Sequence, residues 1–107
     1  MARLGWGAKL ANNTVGLGTV ALLLEVRALA RAYGMPAGPL MEIFKQASAN
    51  SFVVQHWAAI WGPLMGLGLN DLRLGVEAAQ DCGVRMPLIE ATLLYSISPE
   101  AEDPLAG

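Results

Sequence analysis

The chain has 107 residues, of which 54% are hydrophobic and 15% charged, with a formal net charge of -2. This acidic balance, without any cluster of Lys and Arg, argues against a nucleic-acid-binding protein, which typically shows a basic stripe. The single cysteine, Cys82, excludes an internal disulfide framework and is compatible with a reducing cytosol. One thiol and one histidine, His56, are too few for a zinc site, so we expect no metal centre.

The excess of apolar residues predicts contact with another chain. Soluble domains carry about 25% charged residues, and a mean hydropathy of +0.43 is high for this chain. Small domains also have much surface for their volume. We therefore expect a homodimer or a higher homo-oligomer that covers part of the apolar surface. The length fits one helical domain, residues 1–98, followed by a short acidic tail, residues 99–107.

The first predicted helix runs from about Ala8 to Tyr33 and is apolar nearly all the way round. A helix of this kind lies in a core or between subunits. Gly16 and Gly18 each cost about 1 kcal/mol of helix propensity relative to alanine, which suggests the close approach of a second helix or a ligand. Gly34 is predicted to end the helix as a C-cap, with Pro36 just beyond it.

The apolar run from Val15 to Leu24 raises the alternatives of a membrane span and a signal peptide. Its Gly and Thr residues interrupt the roughly 20 apolar residues that a span needs. Arg3 and Lys9 before the run resemble the basic start of a signal peptide only weakly. Charged residues from Glu25 onward continue the same helical pattern without a break. We therefore expect a buried helix in a cytoplasmic protein without membrane contact, with secretion as the minor alternative.

Four shorter helices are predicted to follow, separated by turns that contain Gly, Pro and Ser. Their approximate bounds are Pro39–Ala47, Phe52–Trp61, Asn70–Gly83 and a last helix that starts at Pro87 and is ended by Pro99. No segment shows the alternation of apolar and polar residues that is typical of strands. The sequence therefore predicts an all-α fold of about five helices packed around a long, apolar, N-terminal central helix.

Three local features of these helices can be predicted from side-chain chemistry. Asn50 or Ser51 is expected to cap the third helix. Trp57 and Trp61 lie four residues apart on that helix and should stack, and packing in a core or an interface is favoured over an aromatic ligand cage. Cys82, near the end of the fourth helix, is expected to be a small packing residue.

The segment Gly5–Asn13, at the start of the first helix, holds a candidate binding pair. Lys9 and Asn13 are four residues apart and would point the same way on a helix, whereas Asn12 would point elsewhere. A cationic donor beside a carboxamide could bind an oxygen-bearing ligand. The alternative is a solvated first turn with Lys9 exposed and the asparagines acting as poor helix formers. Spacing alone favours the solvated turn.

Several short motifs, spread over nearly all of the chain, occur in the order that one enzyme family shows. They are Gly5–Asn13, Tyr33–Pro36, Ala47–Ser51, Asn70–Leu72 and Gly83–Pro87. In this order they resemble the C-terminal helical domain of the β-hydroxyacid dehydrogenases, the 3-hydroxyisobutyrate dehydrogenase-like family. The resemblance implies a fold like the C-terminal domain of 6-phosphogluconate dehydrogenase.

The resemblance also implies an activity and a set of site residues. Lys9 would be the catalytic residue that transfers a proton at the hydroxyl or carbonyl of the substrate. Asn13 would anchor the substrate, since its amide can donate and accept hydrogen bonds at once. Asn70 and Asp71 would lie on the cofactor side, with Asn70 in place of the family's lysine. NAD or NADP is the implied cofactor, and neither is expected to bind tightly to this chain alone.

The family's nucleotide-binding domain precedes its helical part, whereas here Met1 lies almost at the start of the helical part. No glycine-rich turn follows a predicted strand, and no Ser-His-Asp set, Cys-His pair or acid/base carboxylate pair can be drawn. One hypothesis is therefore a catalytic half that works with a separate nucleotide-binding chain. The other is a non-catalytic homo-oligomerisation or interaction module, and a truncated family member is a third reading. A catalytic half predicts Lys9 partly buried in a concave pocket beside Asn13, and a scaffold predicts that this face is filled or open to solvent.

Overall fold

The computed structural model of the protein describes residues 2–62, 65–93 and 105, and the side chains of residues 5–62, 70–93 and 105. All regular structure in these ranges is helical. The helices are α1 (Ala2–Ala32), α2 (Ala37–Lys45), α3 (Phe52–Gln55), α4 (Trp57–Ile60), α5 (Met65–Asp81) and α6 (Pro87–Leu93). The predicted all-α class is confirmed for the described part of the chain.

The long helix α1 begins earlier than its sequence pattern predicts. It starts at Ala2 rather than near Ala8, so Gly5 and Gly7 are helical residues and not part of a turn before the helix. Each glycine costs about 1 kcal/mol of propensity. Extending an existing helix adds one hydrogen bond per residue without a new nucleation step, which allows the helix to continue through both glycines.

The predicted C-cap of α1 is confirmed. Gly34 has a φ of 78°, in the left-handed region that glycine adopts without strain. Its N–H donates to the carbonyl oxygen of Arg31, and the N–H of Met35 donates to that of Ala30, each at 2.9 Å. This pair of bonds is a Schellman motif, which satisfies carbonyl groups at the helix end.

The prediction of one continuous third helix is wrong, because the chain forms two one-turn helices, α3 and α4, with a break at His56. The backbone of His56 has φ −119° and ψ 25°, outside the helical region. Its backbone N–H still donates to the carbonyl oxygen of Phe52, and its ring nitrogen Nδ1 lies 3.0 Å from the same oxygen. Of the two predicted caps, Ser51 caps α3, since the N–H of Val54 donates to its Oγ at 3.1 Å.

Helices α5 and α6 differ from prediction mainly at their bounds. α5 begins at Met65 instead of near Asn70, and α6 begins at Pro87 as predicted. The predicted end of the last helix, at Pro99, lies outside the described residues. Of the predicted acidic tail, only Leu105 is described, and it is buried against the core. That residue at least is packed rather than solvated.

The core lies along one side of α1. This helix packs most extensively against α5 and also contacts α2, α3 and α6. Its buried side chains include Leu17, Val20 and Leu23, which meet Leu72 at the centre of α5. The core cluster also includes Met41, Val53, Val54, Trp57 and Trp61. The opposite side of α1 remains exposed, so this helix is central but not enclosed.

The tryptophan pair is confirmed as a packing element. The rings of Trp57 and Trp61 stack with centroids 5.5 Å apart and an interplanar angle of 18°. Both side chains are buried in the core cluster. The expectation for Cys82 is wrong, because its side chain is exposed. It lies where the chain turns out of α5 at Gly83, which has a φ of 71°.

Candidate functional site

Asn13 and Asp71, which are 58 positions apart, meet where α1 packs on α5. The Nδ2 of Asn13 donates a hydrogen bond of 2.6 Å to the Oδ2 of Asp71, and the contact is partly buried. A hydrogen bond to an ionised acceptor is shorter and stronger than a neutral one. The Oδ1 of Asn13 receives a longer contact, 3.4 Å, from the Nδ2 of Asn12. The Asn13 carboxamide is therefore held with its amino group directed towards Asp71.

Lys9 lies one helical turn before Asn13 on the same face of α1, as the spacing predicts. Its side chain is exposed, and it is not among the residues that line the two clefts beside α1. The catalytic-half hypothesis predicts Lys9 partly buried in a pocket, and the scaffold hypothesis predicts that its face is filled or open to solvent. The observed position of Lys9 is open to solvent. Asn70 is also exposed, whereas its neighbour Asp71 is half-buried. The structure therefore brings Asn13 and Asp71 together and leaves Lys9 and Asn70 at the surface.

In the described part of the chain, two clefts lie along α1 up to Glu25, one beside α5 and one beside α6. The α1–α5 cleft, between the start of α1 and α5, has a volume of about 770 Å³, and Trp6, Thr14 and Cys82 are among its lining residues. The α1–α6 cleft has a volume of about 390 Å³, and its lining includes Val15, Leu22 and Leu88. Both clefts are lined mostly by apolar side chains, as ligand sites and interfaces commonly are.

Thr14 and Gly75 form a close contact that the sequence patterns did not reveal. A Cβ atom added to Gly75 would lie 2.9 Å from the Oγ1 of Thr14, closer than side chains normally approach. Thr14 is buried and lies directly after Asn13 on α1. The absence of a side chain at Gly75 therefore permits a close approach of α1 and α5 next to Asn13. An isolated glycine inside a helical pattern was the available signal.

The glycines of α1 that were singled out from the sequence behave differently from each other. A Cβ added to Gly18 would lie 3.3 Å from the Cδ1 of Ile89 on α6, so Gly18 does permit a close helix approach. A Cβ added to Gly16 would meet only the Cγ2 of Val53, at 3.9 Å, which is ordinary contact. The expectation of close packing is therefore met at Gly18, within the chain itself, and not at Gly16.

The remaining charged groups do not build a second polar site among the described residues. Lys45 pairs with Glu42 at 3.0 Å, and Arg85 pairs with Glu90 at 2.9 Å, both at the surface. The hydrogen bond from Arg85 lowers the pKa of the Glu90 carboxyl below its ordinary value. No group of three or more His, Cys, Asp and Glu side chains in the described ranges could hold a metal ion.

Comparison of the chain with protein-family models, with curated proteins and with solved structures finds no match. Within the described ranges, no helix is both long enough and apolar enough to cross a membrane. The α1–α5 junction and the exposed side of α1 are therefore the features of the described chain that bear on its function.

Proposed function

We propose that this chain is a helical half of a dehydrogenase-type assembly, which offers Lys9 and Asn13 to a separate nucleotide-binding chain. The observation that carries the proposal is the Asn13–Asp71 hydrogen bond. It joins two of the four residues that the resemblance to β-hydroxyacid dehydrogenases implies. In this proposal the 3-hydroxyacid substrate and NAD or NADP are bound between the two chains.

The contact gives Asp71 a positioning role towards Asn13. An asparagine amide can rotate so that either its oxygen or its nitrogen faces a ligand. Because Asp71 accepts from Nδ2, the Oδ1 of Asn13 faces the ligand side, and its second lone pair, beside the long contact from Asn12, can accept a hydrogen bond from a substrate hydroxyl. Lys9, one turn away, can place its ammonium group beside the oxygen of that substrate hydroxyl and transfer the proton at this substrate oxygen. Asn13 would orient the substrate, and Lys9 would carry the proton.

The exposure of Lys9 is the reason that a second chain is needed. In contact with bulk water, the interaction of its charge with a substrate oxygen is screened. A nucleotide-binding chain that covered this end of α1 would exclude water and strengthen each interaction at Lys9 and Asn13. The described residues offer Lys9 and Asn13 to the bound ligands. They contain no strand followed by a glycine-rich turn and a helix, the arrangement that holds the phosphates of a dinucleotide.

A fluorescence titration of NADH and NADPH into the purified protein tests this proposal. We expect weak, saturable binding that Lys9→Ala reduces, because the substitution removes the cation at the proposed site. Lys45→Ala is a matched control, since Lys45 is the only other lysine and pairs with Glu42 on α2. Circular dichroism of each variant establishes that the helices are retained. Absence of binding at millimolar cofactor, or equal losses in both variants, would refute the proposal.

A second candidate function is a non-catalytic homo-oligomerisation or interaction module with the same fold. The observation that favours it is the open position of Lys9 together with the large apolar side chains that α1 exposes. On this proposal the chain forms homodimers or higher homo-oligomers, and Asn13–Asp71 serves only to join α1 to α5. Sedimentation of the purified protein over a range of concentrations tests it, and a monomer throughout that range would refute it.

A further inference from the structure

The side of α1 that faces away from the core carries an uncharged row of residues, which we call the α1 seam. Its members follow one another at intervals of three or four positions. They are Ala8, Ala11, Val15, Thr19, Leu22, Val26, Leu29 and Tyr33. At 100° per residue, Val15 and Leu22 lie roughly opposite the buried Leu17 and Val20. The seam extends for about 38 Å along the helix, at 1.5 Å per residue.

The exposure of the seam is unusual for a surface helix. Val15 is 69% exposed, Leu22 58%, Leu29 61% and Tyr33 84%. A helix at the edge of a domain normally turns charged and polar residues towards water. The charges at Lys9, Glu25, Arg27 and Arg31 all lie outside the seam. Single exposed apolar residues are common, whereas a continuous uncharged row of this length indicates an interaction surface.

We propose that a second copy of this chain covers the α1 seam, so that two α1 helices pack against each other in an antiparallel pair. This inference rests on the second of the two proposed functions and specifies its interface. The spacing of three and four residues is the one that lets two helices stay in contact over several turns. The seam residues themselves carry no charge, and Glu25 lies beside Leu22 at the edge of the contact, where it can stay in water.

The antiparallel direction follows from side-chain size. With a two-fold axis at Leu22, Val15 of one copy lies opposite Leu29 of the other, and Ala11 lies opposite Tyr33. The larger Leu29 and Tyr33 of one copy then face the smaller Val15 and Ala11 of the other, while Leu22 meets its own copy at the axis. In a parallel pair the Tyr33 side chains would face each other at one end and the alanines would leave a gap at the other. The antiparallel pair also sets the two helix dipoles in opposite directions.

The area available sets the expected strength of this dimer. A fully exposed Val or Leu side chain offers about 60–120 Å² of apolar surface. Leu88, which is 83% exposed, lies beside the seam at the α1–α6 cleft. At their stated exposures the five large side chains, Val15, Leu22, Leu29, Tyr33 and Leu88, offer roughly 200–430 Å² per copy, so a pair buries about 400–900 Å², in the range of weak complexes. We therefore expect a dissociation constant on the order of 1–100 µM.

Analytical ultracentrifugation between about 1 and 500 µM, a range that spans this constant, tests the proposal with one variant and one matched control. Leu22→Glu places two charges at the centre of the seam and should convert the dimer to a monomer. Ile43→Glu makes the same change at an exposed position of α2 and should leave the dimer intact. A dimer unaffected by Leu22→Glu would overturn the seam and leave the assembly function standing, whereas a wild-type monomer throughout would overturn both.

Cysteine cross-linking tests the direction of the pair. In a Cys82→Ser background, which removes the only natural thiol, Leu22→Cys lies on the two-fold axis and should form a disulfide-linked dimer under mild oxidation. Val15→Cys should not, because its partner position in the antiparallel pair is Leu29, so that the two introduced thiols are far apart. Efficient cross-linking through Val15→Cys would overturn the antiparallel arrangement.

Discussion

The substitution Gly75→Ala should destabilise the fold although alanine is the better helix former. The added Cβ would lie 2.9 Å from the Oγ1 of Thr14, so α1 and α5 must separate or Thr14 must leave its position. Overpacking of this kind costs about 1–3 kcal/mol. The gain in helix propensity on replacing an interior glycine offsets about 1 kcal/mol of that. We therefore expect a net loss of about 1 kcal/mol in the free energy of unfolding, as the difference of these two effects.

A double-mutant cycle separates the two contributions. In a Thr14→Ala background the atom that the new Cβ would strike is gone, and only the propensity gain remains. Gly75→Ala should then stabilise the protein by about 0.5–1 kcal/mol, which reverses the sign of its effect. The interaction energy between the two positions should be about 1–3 kcal/mol, within the range for residues in contact.

Urea unfolding followed by circular dichroism at a fixed protein concentration measures these free energies. Holding the concentration fixed keeps any self-association constant between variants. Gly16→Ala is the control, because its added Cβ would make only an ordinary contact with Val53, at 3.9 Å. That change should stabilise by up to about 1 kcal/mol. If Gly75→Ala proves as stable as the wild type, or if its cost is the same in the Thr14→Ala background, the proposed close approach is wrong.

Two further predictions concern local interactions. Ser51→Ala should lower the free energy of unfolding by about 1 kcal/mol, because the N–H of Val54 loses its cap, whereas urea unfolding of Asn50→Ala should show little change. An NMR titration of the Glu90 carboxyl should give a pKa below that of an ordinary glutamate, and Arg85→Gln should raise it. The stability that this pair contributes is present above the ordinary glutamate pKa and is lost as pH falls through the lowered pKa of the folded state. An unchanged pKa in Arg85→Gln would contradict this account.

The candidate site shows how far residue spacing alone can reach. The shared face of Lys9 and Asn13 follows from the helical period and needs no tertiary information. The partner of Asn13 does not, since Asp71 belongs to another helix and its approach depends on how α1 and α5 pack. Asp71 was expected only on the cofactor side, through resemblance. Its hydrogen bond to Asn13 lies next to the close contact of Thr14 with Gly75, which has no signature beyond a glycine in a helical pattern.

The sequence by itself determined the all-α class, the C-cap at Gly34 and the stacking of Trp57 on Trp61. Each of these depends on local chemistry or on the 3.6-residue period. Tertiary structure decided which side of α1 is buried. A helix that is apolar nearly all the way round contains no internal preference for one face. Packing against α5 buries Leu17 and Val20, and the other side, with Leu22 at its centre, is left for whatever the chain binds.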